Sequence, residues 1–166
     1  MKPPEACRPI PKIRAARASD LTDVVEIEVD AFGVYAWSKA EFSGLMACPN
    51  RSLLVAEVKQ TIVGAMAFER HEEALSLLSL AIGSPWRRAG LGSAMLAKLV
   101  ERMAARPTIT AHVSEYNLPG QQFLAACGFR AVRVLPHFFS GNRRGTHAAY
   151  LFEFVKASSQ RAAAVR

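Results

Sequence analysis

Residues 78–93, with the sequence LSLAIGSPWRRAGLGS, decide the fold. The apolar run at residues 78–82 predicts a β-strand, and the apolar residues within 93–105 recur at helical spacing. Between them, Gly90 and Gly92 remove side chains where the backbone has to bend and where an anion could approach the main chain. The stretch therefore predicts a strand, a tight turn and a helix.

This turn has the properties of a phosphate-binding site. The helix that follows it offers unpaired N–H groups and the positive end of its dipole, and Arg87 and Arg88 add formal charge. An ordinary strand-to-helix connection would look the same and stays an alternative at this stage. Two other nucleotide motifs are excluded, because Gly92 is not followed by Lys-Ser or Lys-Thr and no third glycine completes a dinucleotide fingerprint.

Composition limits the class of protein. The chain has 166 residues, of which 51% are hydrophobic and 21% charged, as expected of one globular domain with its own core. No apolar run approaches the roughly 20 residues that cross a bilayer, and the Pro-rich N-terminus does not resemble a secretion signal, so we expect a cytoplasmic protein. The three cysteines and four histidines lack metal-ligand spacing, which predicts no metal site and no disulfide. The net charge of +7 favours an anionic partner without identifying it.

The remaining sequence predicts a mixture of helices and strands. Ser19 is expected to cap a first helix, and the capping box Ser38-Lys39-Ala40-Glu41 to start a second that runs to about residue 47. A later helix begins near Pro119 and ends at Gly128. Strands are predicted at residues 13–15, 52–58, 62–69, 74–82, 108–113, 131–135 and 148–155. We expect a flexible extension at residues 1–11, one domain at 12–156 and a tail at 157–166.

The order of these segments resembles the GNAT (Gcn5-related N-acetyltransferase) superfamily over nearly the whole chain. The strand at residues 78–82, the turn WRRAGLG at 86–92, and Asn117 followed by FLAACGF at 123–129 match the superfamily's fourth strand, coenzyme turn and closing N…GF segment. The resemblance implies an α/β (α+β) GNAT fold, with a mixed, mostly antiparallel, twisted sheet of about six to seven strands flanked by about four helices.

Within the superfamily, the closest resemblance is to the RimI-like branch of ribosomal-protein alanine N-acetyltransferases. AWSKAEF at residues 36–42 is similar to the P-W-S…F segment of that branch, and His137-Phe138-Phe139 stands where the branch usually has N-Y-Y. The resemblance implies a protein or peptide N-terminus as acceptor, bound near Trp37, Phe138 and Phe139. The two phenylalanines are expected in a loop, where they could line an acceptor groove or close the core.

The same resemblance implies a site for acetyl-CoA, with no metal. Backbone groups of the fourth strand would pair with the pantetheine arm, the turn would hold the pyrophosphate, and an asparagine would contact the coenzyme near its pantetheine end. The residues implied are Leu80, Ala81, Ile82, Arg87, Arg88, Ala89, Gly90, Leu91, Gly92, Ser93 and Asn117.

The chain departs from this branch at both of its usual proton carriers. The usual glutamate position is occupied by His112 and the usual tyrosine position by Leu124. His112, with an ordinary pKa near 6.5, is our candidate base, although a structural sheet histidine is an open alternative. Glu115 is a second candidate base, but strand alternation directs it to the opposite face from His112. Tyr116 is our candidate acid, with solvent as the alternative proton donor.

Three functions remain open at this stage. Acetylation of a protein N-terminus is favoured by the Trp37 and Phe138-Phe139 segments. Acetylation of a small amine is favoured by the loss of two tyrosine hydroxyls from the expected groove. A coenzyme-A-binding module without catalysis is suggested by the missing glutamate and tyrosine. Arg130, Arg133, Arg143 and Arg144 are interpreted as a solvated basic face, so we expect neither a nucleic-acid partner nor a membrane.

Overall fold

The computed structural model describes residues 10–139 and 147–156. Residues 1–9, the segment 140–146 and the predicted tail at 157–166 lie outside the described residues, and so do Arg143 and Arg144. In the described part of the chain, seven strands form one sheet in the order β1-β2-β3-β4-β5-β7-β6. The strands are β1 (Lys12–Ala15), β2 (Arg51–Val58), β3 (Thr61–Arg70), β4 (Ala74–Ile82), β5 (Thr108–Ser114), β6 (Arg130–Phe139) and β7 (His147–Val155).

The strand pairing confirms a mixed and mostly antiparallel sheet. The pairs β1–β2, β2–β3, β5–β7 and β6–β7 are antiparallel, whereas β4 and β5 are parallel. Four α-helices accompany the sheet in the described residues: α1 (Leu21–Phe32), α2 (Lys39–Ala47), α3 (Leu91–Glu101) and α4 (Leu118–Ala126). This is the GNAT fold expected from the sequence.

Contacts divide the chain into two compact units. The first contains the residues up to Glu69 together with Ser79–Arg102, and the second contains Arg70–Leu78 and the residues from Met103 onward. Strand β4 therefore contributes its first half to the second unit and its last residues to the first. The single domain expected at residues 12–156 stays a prediction.

The core of the first unit is formed by the apolar faces of α1, α2 and α3 and by β2 and β3. Strands β2 and β3 are buried on both faces, which explains their nearly continuous apolar sequences. Fully buried side chains include Val24, Phe42, Val55, Met66, Phe68, Met95 and Leu99. The capping box of α2 is confirmed: the Glu41 backbone N–H donates to Ser38 Oγ at 3.3 Å, and the Ser38 N–H donates to the Glu41 carboxylate at 2.7 Å.

The predicted cap of the first helix is wrong. A short 3₁₀ turn, Ala18–Asp20, precedes α1, and the Asp20 carboxylate accepts from the Arg17 N–H at 2.7 Å. Arg14 on β1 binds the same carboxylate at 2.7 Å and Glu57 on β2 at 2.7 Å. Asp20 is therefore bonded to both the 3₁₀ turn and β1. Helix α1 begins after it, at Leu21, and Ser19 does not act as its N-cap.

Helix boundaries elsewhere were predicted to within a few residues. Helix α3 begins at Leu91, before the predicted 93, and ends at Glu101 rather than near 105. Helix α4 carries Pro119 in its first turn, and the chain leaves it through Gly128 at φ +88°, a left-handed conformation that glycine adopts without strain.

Strand β6 is longer than predicted, and this corrects the placement of two candidate residues. The predicted strand ended at 135, but pairing with β7 continues to Phe139, which lies opposite His147. Phe138 and Phe139 therefore lie in β6 and not in a loop. The register is irregular between Leu135 and Phe139, and His137 has φ +60°. Pro136 explains the irregularity, since proline in a sheet is confined to edge strands and bulges and β6 is an edge strand.

Candidate active site

The first unit contains a helix N-terminus suited to an anion. Gly90 precedes α3 with φ +81° and, as a glycine, offers no side-chain cap to the first turn of this helix. A Cβ added at Gly90 would meet no atom of residues 10–139 and 147–156 within 4 Å, so space is open next to the N–H groups of the turn. Uncapped N–H groups and the helix dipole together attract phosphate. The residues present therefore fit the pyrophosphate of acetyl-CoA.

The two arginines of the turn have different surroundings. Arg87 is held within the first unit: its guanidinium binds the Asp30 carboxylate at 2.8 Å and the Ile82 carbonyl at 2.8 Å. Ser84 also donates to Asp30, and these hydrogen bonds lower the pKa of that carboxyl. Arg88 is exposed, has φ +61° and makes no ion pair with the described residues. Of the two, Arg88 is the cation available to a ligand.

The last residues of β4 lead directly into this turn. Ala81 is buried, whereas Leu80 and Ile82 are half-buried. The Ile82 carbonyl already accepts from Arg87 Nε. Sequence reasoning did not anticipate this contact, which fixes the end of the strand relative to the turn.

Asn117 in the second unit acts as the N-cap of α4. Its side-chain oxygen accepts from the Gly120 N–H at 3.0 Å, and a Cβ at Gly120 would lie 2.6 Å from the asparagine nitrogen. The asparagine thus has a local structural role that the resemblance to the GNAT superfamily did not indicate.

His112 lies in the second unit on the exposed face of β5. It alternates with the buried residues Ala111 and Val113 and shares its face with Ser114, as strand alternation predicted. Its imidazole stacks on the ring of Phe138, with the ring centroids 4.4 Å apart and the planes inclined by 11°. Burial lowers the pKa of His112 although the residue has an exposed edge. The neutral imidazole is therefore the dominant form at neutral pH.

The stack on His112 is one end of a continuous series of ring contacts. Phe138 meets Phe139 edge to face at 5.0 Å, Phe139 stacks on His147 at 4.7 Å, and His147 contacts Tyr116 at 5.3 Å. We call His112, Phe138, Phe139, His147 and Tyr116 the aromatic chain. It brings together four residues that the sequence singled out, and His147 was not among the candidate site residues.

The other proton-carrier candidates have different environments. Tyr116 is 74% exposed, so its hydroxyl is open to solvent. The Glu115 carboxylate accepts from the Ala148 N–H at 2.9 Å, which gives it a structural role at the start of β7. Leu124, at the position where the resembling branch has a tyrosine, is buried and cannot carry a proton.

Trp37 lies in the first unit, between α1 and α2. Its indole contacts Phe42 at 5.4 Å with a tilt of 48°, and Phe42 is fully buried. Glu28, a residue of α1 in the same unit, is only 2% exposed, and its carboxylate accepts from Ser79 Oγ at 2.9 and 3.1 Å. Sequence reasoning did not select Glu28, although it follows Ile27 on the apolar stripe of α1, where a charged residue is unusual.

An open groove of about 300 Å³ also lies in the first unit, lined by Asp23, Glu26, Ile27, Asp30, Thr61, Ile62, Gly83, Ser84 and Pro85. Its three carboxylates repel phosphate, so the groove does not suit the coenzyme.

No group of three or more His, Cys, Asp or Glu in the described residues could hold a metal ion. Within the same residues, no helix has the length and apolar character needed to cross a membrane.

Comparisons with known proteins agree with this geometry. The sequence profile described as "Acetyltransferase (GNAT) family" matches residues 21–129. No curated protein matches the sequence significantly.

Several solved structures share the fold. The ribosomal-protein-S18-alanine N-acetyltransferase from Escherichia coli is 17% identical, with a TM-score of 0.76, covering 87% of this chain and 93% of its own. Ard1 from Thermoplasma volcanium is 21% identical, with a TM-score of 0.77 and coverages of 88% and 97%. Arabidopsis thaliana Naa50, in complex with the bisubstrate analogue CoA-Ac-MVNAL, is 16% identical, with a TM-score of 0.71 and coverages of 89% and 99%.

Proposed function

Because this chain belongs to the acetyltransferase (GNAT) family, we propose that it transfers the acetyl group of acetyl-CoA to the N-terminal α-amino group of a protein or peptide. The family membership makes it an acetyltransferase, and the acceptor is the part that we infer. The observation that carries the inference is the neutral imidazole of His112, stacked on Phe138 at 4.4 Å.

The strength of this base selects the kind of amine. An α-amino group has a pKa of about 7.7 to 8.0, so an appreciable fraction is neutral near pH 7.5. A lysine amine, with a pKa of about 10.4, is only about one part in a thousand neutral there. A histidine whose pKa lies below its ordinary value can complete the deprotonation of an α-amino group, but it is a poor base for a lysine amine. His112 therefore favours an α-amino acceptor.

The first unit supplies the proposed donor site. The N–H groups at the start of α3, beside Gly90, would bind the pyrophosphate, and Arg88 would add a cation. Gly92 and Ser93 lie in the same helical turn. Leu80 and Ile82 would offer backbone groups to the pantetheine arm. Asn117, which belongs to the second unit and caps α4, is proposed, as the family resemblance implies, to contact the coenzyme near its pantetheine end.

The proposed reaction is a direct transfer. The lone pair of the acceptor nitrogen attacks the thioester carbonyl carbon, a C–N bond forms and the C–S bond breaks. His112, directly or through a water molecule, takes the proton that the nitrogen loses. The departing thiolate gains a proton from Tyr116 or from solvent, and a thiol of pKa about 8.5 is a fair leaving group without help.

Two of the structures with a similar fold also support a protein or peptide N-terminus as the acceptor. One is an alanine N-acetyltransferase of a ribosomal protein, and another was solved with a bisubstrate analogue that joins CoA to the peptide MVNAL. We propose Trp37, Phe138 and Phe139 as the residues that bind the N-terminus of the acceptor, and we propose that this chain itself is cytoplasmic.

A small amine is the second candidate acceptor. The exposed ring of Phe138 has no hydroxyl with which to hydrogen-bond a peptide backbone. An aromatic face without polar groups can instead bind an apolar or cationic amine.

The test compares matched acceptors with acetyl-CoA while free thiol is followed. One peptide carries a free N-terminus and no lysine, a second has the same sequence with a blocked N-terminus and one lysine, and a polyamine and a free amino acid represent small acceptors. We expect turnover only with the free N-terminus, with a mass gain of one acetyl group. Turnover with the small amines alone would replace the proposal by the second candidate, and binding of acetyl-CoA without any turnover would overturn both.

A further inference from the structure

Asp30, near the end of α1, accepts hydrogen bonds from the connection between β4 and α3. The Ser84 N–H donates to the carboxylate at 2.8 Å, the Ser84 hydroxyl lies 2.8 Å from each of its two oxygens, and Arg87 Nη2 binds it at 2.8 Å. These bonds, those from Ser84 foremost, hold the pKa of the Asp30 carboxyl below its ordinary value. Asp30 is therefore ionised at neutral pH, in the form that accepts all of them.

A carboxylate at this place opposes the binding of a phosphate by its charge. Asp30 contacts Ser84 and Arg87, which directly precede the turn at residues 88–92, and a negative charge in this region repels an anionic ligand. Its side chain is 42% exposed, and an ion pair at an exposed position contributes little to stability. Neither charge nor stability explains the residue, so its role lies in the backbone that it holds.

The connection that Asp30 holds is also attached to β3. The Gly83 N–H donates to the Val63 carbonyl at 3.0 Å, and a Cβ added at the buried Gly83 would lie 3.5 Å from the same oxygen. Gly83 thus joins the start of the connection to β3, whereas Asp30 joins the next residue, Ser84, to α1. The chain is held on two sides immediately before the turn.

The turn itself needs such support, because its backbone is strained. Arg88 has φ +61° and Gly90 has φ +81°. A residue other than glycine keeps a left-handed conformation only where the surrounding structure enforces it. The direction of the N–H groups at the start of α3 depends on where the chain enters this turn. The bonds between Asp30 and Ser84 fix that entry.

We propose that Asp30 is a positioning residue for the coenzyme, which holds the connection at Ser84 so that the N–H groups at the start of α3 meet the pyrophosphate. The proposal rests on the proposed function only in its donor site and does not depend on the acceptor. Asp30 acts through Ser84, and the ion pair with Arg87 supports the same arrangement.

Charge alone predicts the opposite effect of removing Asp30. Asp30→Ala deletes a negative charge and frees the guanidinium of Arg87, and both changes favour a phosphate ligand. If Asp30 positions the turn, the same variant should bind the coenzyme more weakly despite these two gains. The direction of the change therefore separates positioning from charge.

Calorimetric titration of acetyl-CoA into the full chain measures this direction without an acceptor. We expect Asp30→Ala to raise Kd about threefold to tenfold, as for one or two lost hydrogen bonds. Asp30→Asn lacks the same charge but keeps a carbonyl oxygen that accepts from Ser84, so its Kd should stay within about twofold of the wild type. Ser84→Ala loses the hydroxyl and keeps the N–H, and it should give a smaller increase than Asp30→Ala.

Glu26→Ala is the matched control. Glu26 is an exposed carboxylate on the same helix and lines the same groove as Asp30. Its removal changes the net charge as Asp30→Ala does, but leaves the bonds to Ser84 in place. We expect no weakening of acetyl-CoA binding in this variant.

Trp86 reports on the connection without any ligand. It is the last residue of the 3₁₀ turn Ser84–Trp86 and is half-buried. The chain has two tryptophans, so in a Trp37→Phe background the fluorescence comes from Trp86 alone. We expect Asp30→Ala to increase acrylamide quenching of Trp86, and Asp30→Asn and Glu26→Ala to leave it unchanged.

The contrary outcomes are distinct. A Kd of Asp30→Ala equal to or below that of the wild type would overturn the positioning role, and so would an equal rise in Asp30→Asn or in Glu26→Ala. If Asp30→Ala does not fold, Ser84→Ala decides: a Kd equal to that of the wild type would reject the proposal. If the expected pattern of Kd values holds but no peptide N-terminus is acetylated, the proposed acceptor fails and the role of Asp30 stands.

Discussion

The imidazole of His112 on β5 stacks on the phenyl ring of Phe138 on β6, with the ring centroids 4.4 Å apart and the planes inclined by 11°. Two effects of this contact oppose each other. A ring face stabilises the imidazolium by cation–π attraction, about 0.5–1 kcal/mol at an exposed site, which would raise the pKa. Burial disfavours the charged form and lowers it. Burial lowers the pKa of His112, and we expect this effect to be larger than the cation–π attraction.

Replacing Phe138 with leucine tests which effect dominates. We expect the pKa of His112 to rise toward its ordinary value of about 6.5, because a smaller side chain leaves the imidazole more hydrated. The acid limb of the pH profile of kcat/KM should then move to higher pH. An NMR titration of the histidine ring protons, assigned with a His112→Gln variant, measures the same change without turnover.

Val132→Ala is the matched control for this substitution, since Val132 lies on the same strand and is 51% exposed, but belongs to no ring contact of the aromatic chain. Its titration should match that of the wild type. A fall in the pKa of His112 in the Phe138 variant would show that cation–π attraction dominates after all.

Local signals in the sequence predicted much of this structure, and contacts between distant residues explain the rest. The turn at Gly90 and the capping box at Ser38 each depend on a few neighbouring residues, so both were predicted from sequence. The extension of β6 past Pro136 depends on pairing with β7, which sequence spacing does not reveal. Glu28 was missed for a similar reason: a glutamate in a helix is usually solvated, and here its partner Ser79 is 51 residues away.

Arg88 and Arg87 are expected to respond differently to substitution. Arg88→Gly removes an exposed cation at φ +61°, a conformation that glycine adopts without strain. KM for acetyl-CoA should rise about threefold to tenfold, and more at low salt, with no loss of thermal stability. Arg87→Ala breaks the contacts with Asp30 and the Ile82 carbonyl, so it should lower the unfolding free energy by about 1 kcal/mol. Steady-state kinetics measure KM for acetyl-CoA, and thermal melts measure stability. If the two variants changed KM and stability equally, the assignment of Arg88 to the ligand and of Arg87 to the fold would be contradicted.

Gly90 tests whether the space next to α3 belongs to a ligand. At φ +81°, Gly90→Ala should cost about 1–2 kcal/mol of stability, whereas Gly90→Asn should cost less, because asparagine enters the left-handed region more readily. A Cβ at this position would meet no atom of the described residues within 4 Å, so the added side chain starts in open space. If the pyrophosphate occupies this space, both variants should lose acetyl-CoA affinity, including the asparagine variant that keeps its stability. Calorimetric titration of acetyl-CoA measures this, and unchanged affinity in Gly90→Asn would remove the pyrophosphate from this position.

The buried carboxyl of Glu28 should make stability depend on pH in a defined direction. Burial raises its pKa to about 7 from an ordinary 4.5, with the nearby Glu41 contributing, while the hydrogen bonds from Ser79 oppose the rise. Between pH 4.5 and 7 the carboxyl of Glu28 is protonated in the folded state and ionised in the unfolded state. The contribution of Glu28 to the free energy of unfolding therefore falls as the pH rises from about 4.5 to 7, and it is constant above pH 7.

Glu28→Gln has no such titration. Its melting temperature relative to the wild type should therefore increase across this interval, by roughly 7–14 °C for a shift of this size. Melts from pH 4.5 to 8.5 measure the difference, with Glu26→Gln on the exposed face of α1 as the flat control. A difference that is constant over the whole range would mean that Glu28 titrates near its ordinary pKa, and its hydrogen bonds would then offset the full cost of burial.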